Sequence, residues 1–235
     1  MKGRTIFFAI LTVILPFILL MNSVVLVFTV NFLTYEYKKP DFPPDPFGFT
    51  LEQRIKYGTA SVNYITDVFG DYNDDYFAGL KKEDGTPLFN ERELSHMKDV
   101  KTVFQTARLV LAVMMVFVIL TIYLVSQNPD SLKGFLKALI RGGILTIVII
   151  TAVIVLIFTG FDAFFDGFHR IFFTGESWLF YENDSLIRLF PEMLWVDGFS
   201  MAALFTLIFA VLIGLVAYLA LRKLRPSKHH AKQRQ

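Results

Sequence analysis

The chain has 235 residues, of which 54% are hydrophobic; it carries 26 Phe, no Cys and a net charge of only +2. Without Cys there are no disulfides, no thiolate nucleophile and no zinc–thiolate site. The apolar content exceeds what a soluble domain of this length needs to bury, and it is concentrated in four runs: Ile6–Phe32, Val103–Val125, Leu139–Gly160 and Phe199–Leu221. Each reaches the roughly 20 residues that a helix needs to cross a hydrocarbon core. A backbone inside a bilayer must satisfy its own N–H and C=O groups, so these runs are predicted to be helices.

In chain order, the first predicted element is a membrane span over 5–32. Its basic start at Lys2 and Arg4 resembles the beginning of a signal peptide. The apolar run is about twice the usual length, however, and no small-x-small cleavage site follows, so an uncleaved span is expected. Residues 33–102 form a large polar loop. It opens with a linker containing Pro40, Pro43, Pro44, Pro46 and Gly48. Apolar residues then recur at helical spacing between Thr50 and Phe69 (Leu51, Ile55, Val62, Ile65), and turn signals follow at 70–75 and 83–87. Asn90 and Glu93 have the spacing of a capping box, with Phe89 and Leu94 as a hydrophobic staple. No helix breaker separates Glu91 from the second span, 103–126, so one helix is expected to begin outside the membrane and continue into it.

A short connection, 127–138, leads to the third span at 139–160. Residues 161–198 make a second polar segment, the fourth span covers 199–221, and a basic tail occupies 222–235. The two ends of the chain and the connection around 128–141 hold eleven basic residues against Asp130 alone. The 161–198 segment holds seven acidic residues against Arg170 and Arg188. The positive-inside rule places both termini in the cytoplasm and the two long polar segments outside. The expected fold is an all-α membrane protein: four transmembrane helices with an extracytoplasmic, mainly helical cap.

Chemistry is predicted at few positions. Of the four His, His229 and His230 lie in the basic tail without apolar neighbours and read as solvated. His96 and His169 are the two on the outer side, both close to the end of a span. Each has an acid three residues away, Asp99 and Asp166 respectively. A carboxylate beside an imidazole fixes its tautomer and favours its charged form. In FDAFFDGFHRIFF (161–173), Phe161, Phe164, Phe165, Phe168 and Phe172 fall on one arc of a helix. Asp162, Asp166, His169 and Arg170 are assigned to the opposite arc, the pattern of an interfacial amphipathic helix. An Asp166–Arg170 salt bridge is expected at i,i+4. No H-E-x-x-H or G-x-S-x-G motif and no Gly-rich phosphate loop occurs, and no metal or cofactor is expected. These residues describe an outer-leaflet protein with two imidazoles for acid–base catalysis on a lipid-borne substrate.

The segments ERELSHMKDVK (91–101) and FDAFFDGFHRIFF with the following W-L-F and DSLIRLFPE (161–192) resemble the lipoprotein intramolecular transacylase (Lit) family. That resemblance covers nearly the whole chain. It implies an acyltransferase of Gram-positive bacteria, acting at the outer leaflet on a diacylated lipoprotein. The sn-2 acyl chain of the substrate's diacylglyceryl group moves to the α-amino group of its N-terminal Cys, giving the lyso form. His96 and His169 would be the acid–base pair, oriented by Asp99 and Asp166, with Arg170 or Trp178 stabilising the oxyanion. Two other readings remain: a lipid- or lipoprotein-binding membrane protein without catalysis, and a metal-dependent membrane hydrolase.

Overall fold

The computed structural model describes residues 2–224; His229, His230 and most of the basic tail lie outside this range. Nine α-helices and one short 3-10 turn are described: α1 (Lys2–Val27), α2 (Val30–Tyr37), α3 (Leu51–Thr66), α4 (Asp74–Ala78), α5 (Glu91–Ser126), the turn Pro129–Ser131, α6 (Leu132–Thr159), α7 (Phe161–Phe172), α8 (Ser185–Leu189) and α9 (Glu192–Lys223). Among the described residues there is no β-strand beyond an isolated bridge between Lys81 and Pro87. Four helices, α1, α5, α6 and α9, are long and apolar enough to cross a membrane. The protein is an all-α, membrane-integral fold.

Several boundaries differ from the sequence expectation. The run Ile6–Phe32 is not one helix: α1 stops at Val27 and α2 starts at Val30. Thr29, in extended conformation, caps the new helix by accepting a hydrogen bond from the Phe32 amide at 3.2 Å. The connection at 127–138 is mostly helical, because α6 begins at Leu132. The expected uninterrupted helix from Glu91 into the second span is present as α5, 36 residues long. At 1.5 Å per residue this is roughly 54 Å, well beyond the core thickness of about 30 Å. The capping box is formed: the Asn90 amide donates to Glu93 at 2.7 Å, and the Glu93 amide donates to the Asn90 side chain at 3.0 Å.

The chain divides into two compact units. The first comprises residues up to Ser23, Leu111–Val153 and Ala203 onward. Here Leu15, Leu19 and Ala210 are buried against Leu139, Ile147, Phe209 and Ile213. Two adjacent glycines allow the close approach of helices. A Cβ on Gly142 would lie 2.7 Å from the Leu15 side chain and 3.2 Å from the Thr12 carbonyl; one on Gly143 would lie 3.0 Å from the Ala210 carbonyl. Small residues at such contacts substitute for the hydrophobic drive that is missing between helices in lipid. The buried hydroxyls of Thr121 and Thr146 bond back to their own helix, to the carbonyls of Phe117 and Gly142, both at 2.8 Å, whereas the hydroxyl of Ser131, in the 3-10 turn, is buried without a partner.

The second unit comprises Val24–Val110 and Ile154–Ala202. Its core contains Tyr57, Tyr64, Phe77, Leu88, Phe89 and Leu189. Thr50 and Gln53 form a capping box that starts α3. The proline-rich segment has no regular structure but is pinned. The side chain of Asp45 is buried and pairs with Arg188 at 2.7 Å, while the Arg188 guanidinium stacks on Phe49 at 3.6 Å. Lys39 bridges Glu36 and Asp197, and Arg92 pairs with Asp184 at 2.8 Å. These contacts fix the surroundings of α7 and α8.

Candidate active site

His96 lies on the second turn of α5, before the apolar run that starts at Val103, and His169 lies near the end of α7. The fold brings them together: their ring centroids are 5.9 Å apart, with ring planes 21° from parallel. Both are buried, at 6% and 8% exposure. Phe173 and Phe180 present their edges to His96 at 4.9 and 5.3 Å. Phe165 and Trp178 cover His169, with centroids 4.1 and 4.9 Å away.

Local structure explains this enclosure. Helix α7 ends at Phe172, and Phe173 is extended, its amide donating to the His169 carbonyl at 2.8 Å. Gly175 then adopts a φ of +69°, a left-handed conformation that favours glycine and turns the chain back. Trp178 is thereby returned onto His169. The segment is fastened beyond Trp178 by Asp184, which accepts from Asn90 and Arg92 at 2.8 Å each.

Burial decides the charge state of both imidazoles. Burial, with a smaller contribution from the neighbouring His169, pushes His96 down to about 4. His169 is also lowered by burial, although its bond to the Phe165 carbonyl and the charge of Asp166 act in the opposite direction. Both rings are therefore neutral at pH 7. The tautomer of His169 follows from its partner. A carbonyl only accepts, so Nδ1–H of His169 donates to the Phe165 oxygen at 2.8 Å, and Nε2 keeps its lone pair. Nδ1 of His96 and the indole Nε1 of Trp178 are buried without a hydrogen-bond partner. A buried polar group left unpaired is costly and marks a place where a ligand group can complete the bond.

Three of the six predicted site residues, His96, His169 and Trp178, form one cluster. Arg170 stands at its edge, with its guanidinium carbon 6.0 Å from the Trp178 ring. The two acids do not take their expected places. Asp99 is exposed and makes no bond to His96; Asp166 is exposed and acts on His169 only through its charge. The orienting role expected of Asp166 falls to the Phe165 carbonyl. The expected Asp166–Arg170 salt bridge is absent from the ion pairs of the described residues. His169 also leaves the polar arc assigned to it. It follows Phe165 by four residues, only about 40° further round the helix, and so borders the aromatic face. That angle was available in the sequence.

One supporting residue was missed. Glu93 is 1% exposed, and besides closing the α5 capping box it accepts from the Leu186 amide at 2.6 Å, tying the start of α5 to α8. Burial raises it, against the lowering effect of its two backbone amide bonds. Among the described residues, no group of three or more His, Cys, Asp or Glu side chains is arranged to hold a metal ion.

The model of the lipoprotein intramolecular transacylase Lit family matches residues 8–195. The chain belongs to this family. It is an enzyme of the acyltransferase class. The solved structure of Lit from Bacillus cereus superimposes with a TM-score of 0.76 at 19% identity, covering 94% of this chain and 97% of that one. The same Bacillus protein with a His-to-Ala mutation gives 0.72, covering 94% and 95%. An uncharacterised protein of Aquifex aeolicus (strain VF5) is 29% identical over 210 residues, which is 89% of this chain and 92% of the relative. At 19% identity the Bacillus structures establish the fold; the family assignment rests on the sequence match.

Proposed function

We propose that this Lit family member moves the sn-2 acyl chain of a diacylglyceryl lipoprotein to the α-amino group of the same molecule's N-terminal Cys. The observation that carries this reading is the neutral, buried His96–His169 pair enclosed by aromatics. The amine nitrogen attacks the sn-2 ester carbonyl, a C–N bond forms, and the C–O bond of the glyceryl ester breaks. Nitrogen gives up one proton and the departing oxygen takes one, so no net proton is consumed. No enzyme nucleophile is required, because both reacting groups belong to one substrate and proximity supplies much of the rate.

His169 is the base that accepts the amine proton. Its free Nε2 is defined by the Phe165 bond, and both that bond and Asp166 favour its charged form. His96, which has no comparable support for a charge, relays the proton taken up by His169 to the departing sn-2 oxygen, so that both rings end neutral as they began. The unpaired indole N–H of Trp178 is the donor for the oxyanion, in a site where low polarity strengthens such a bond. The aromatic enclosure keeps water from competing with the amine.

The positive-inside pattern supports cytoplasmic termini and a site at the outer leaflet. A single experiment separates the readings. Purified protein is incubated with a synthetic diacylated lipopeptide, with and without EDTA, and the acyl chain is followed by mass spectrometry. The proposal requires N-acylated lyso-lipopeptide of unchanged total mass, formed equally well with EDTA. Release of free fatty acid that EDTA abolishes would establish a metal-dependent hydrolase, and binding without conversion a non-catalytic module.

A further inference from the structure

A separate cleft of about 250 Å³ lies in the second unit, between the end of α1, the start of α2, α3 and α5. Val25, Phe28, Val62 and Phe104 give it apolar walls, and Asn63 and Arg108 give it polar groups. Arg108 stands five residues inside the apolar run that starts at Val103. It donates to the Thr66 carbonyl at the end of α3, at 3.0 Å. Among the described residues, no carboxylate forms an ion pair with it. A cation at membrane depth is costly without a counter-charge and generally has a partner. Helical side chains lean toward the helix N-terminus. The guanidinium of Arg108 is thereby carried back from its Cα toward the level of the lipid headgroups.

The neighbouring turn gives an independent indication of depth. Lys101 and Gln105 of α5 donate to the carbonyls of Tyr72 and Asp67, at 2.8 and 3.1 Å. They hold the turn after α3 against the start of the apolar run. At its tip Val68 and Phe69 are 62% and 90% exposed. Bare apolar side chains at that level are suited to lipid contact, and Thr66, two residues before Val68, lines the cleft.

We propose that this cleft binds a membrane glycerophospholipid, with an acyl chain against its apolar walls and the phosphate on Arg108, assisted by Asn63. It is distinct from the histidine site: Arg108 follows His96 by twelve residues, roughly 18 Å along α5. The lipid bound here is not the acyl donor, because the diacylglyceryl group of the proposed substrate carries no phosphate. Basic pockets between membrane helices are suited to anionic headgroups.

The test is native mass spectrometry of the full chain in detergent, with added dioleoyl phosphatidylglycerol or dioleoylglycerol. These share acyl chains and differ in the phosphate. The wild type should retain the phospholipid at least tenfold better than the diacylglycerol. Arg108→Gln should lose that preference at least tenfold, and Arg108→Lys should keep most of it. Val25→Trp, a filling substitution at a partly exposed wall, should weaken retention of both lipids. Equal retention of the two lipids by the wild type, or wild-type retention by Arg108→Gln, overturns the proposal. If Arg108→Gln does not fold, wild-type retention by Val25→Trp overturns it. The readout is lipid binding, so it stands apart from whether the histidines catalyse acyl transfer.

Discussion

The spanning helices of the first unit and the histidine site of the second treat their buried polar groups in opposite ways. In the first, Thr121 and Thr146 are satisfied by the carbonyl one turn back, and glycines bring the helices together. In the second, His96 and Trp178 keep buried nitrogens without partners, and ion pairs such as Asp45–Arg188 secure the surroundings. A membrane span gains from having every polar group paired internally. A site that must receive a substrate gains from groups left open. The contrast separates packing from chemistry in a chain whose overall composition suggests only grease.

The contrast can be broken at several points. The largest effect outside the histidines is expected at Trp178. Trp178→Phe keeps an aromatic ring but removes the N–H with the five-membered half of the indole, and should slow transacylation about 10²-fold, the loss typical of one oxyanion donor. Turnover of the lipopeptide in detergent checks this; an unchanged rate would remove Trp178 from the chemistry.

Next is the pH profile. The substrate amine, with a pKa of about 8, must be unprotonated, so the rate should fall about fifty-fold from pH 8 to pH 6. His96, held down at about 4, stays neutral over that range and adds no further loss there, and burial displaces His169 in the same direction. A slope that doubles below pH 6.5 would mean that an imidazole titrates at its ordinary value.

In the first unit, Gly142→Ala places a Cβ 2.7 Å from Leu15 and should cost about 1–3 kcal/mol by overpacking. A thermal melt reads the loss, while activity per folded molecule should not change. The smallest effect belongs to Asp99→Asn and Asp166→Asn. Neither carboxylate bonds to a histidine, so each variant should keep its rate within about threefold, less than 1 kcal/mol.

Much of this was legible in the sequence, for local reasons. The four spans follow from run length, and the continuous α5 follows from the Asn90–Glu93 box and the lack of any breaker after it. The histidine pair was legible from depth: two imidazoles near span ends on one side have little room to be far apart. The break at Phe28–Thr29 was not, because no Gly or Pro marks it. The orienting acids were misjudged because a spacing of three residues permits contact without requiring it, and here both acids point to solvent. Asp45 and Arg188 lie 143 residues apart, so only the tertiary fold could join them. The return of Trp178 onto His169 depends on one left-handed glycine, Gly175, whose conformation the sequence permits but does not dictate.

The central claim is that His96 and His169 act as one unit. The most direct measurement is a double-mutant cycle on acyl transfer, with His96→Asn, His169→Asn and the pair. Lyso-lipopeptide formation is scored by mass spectrometry on protein confirmed to be folded. Each single variant should lose about 10²–10⁴-fold, and the double variant should lose little more than the worse single one, because groups that share a step are not additive. Full transacylation by either single variant, or losses that multiply in the double variant, would contradict the account.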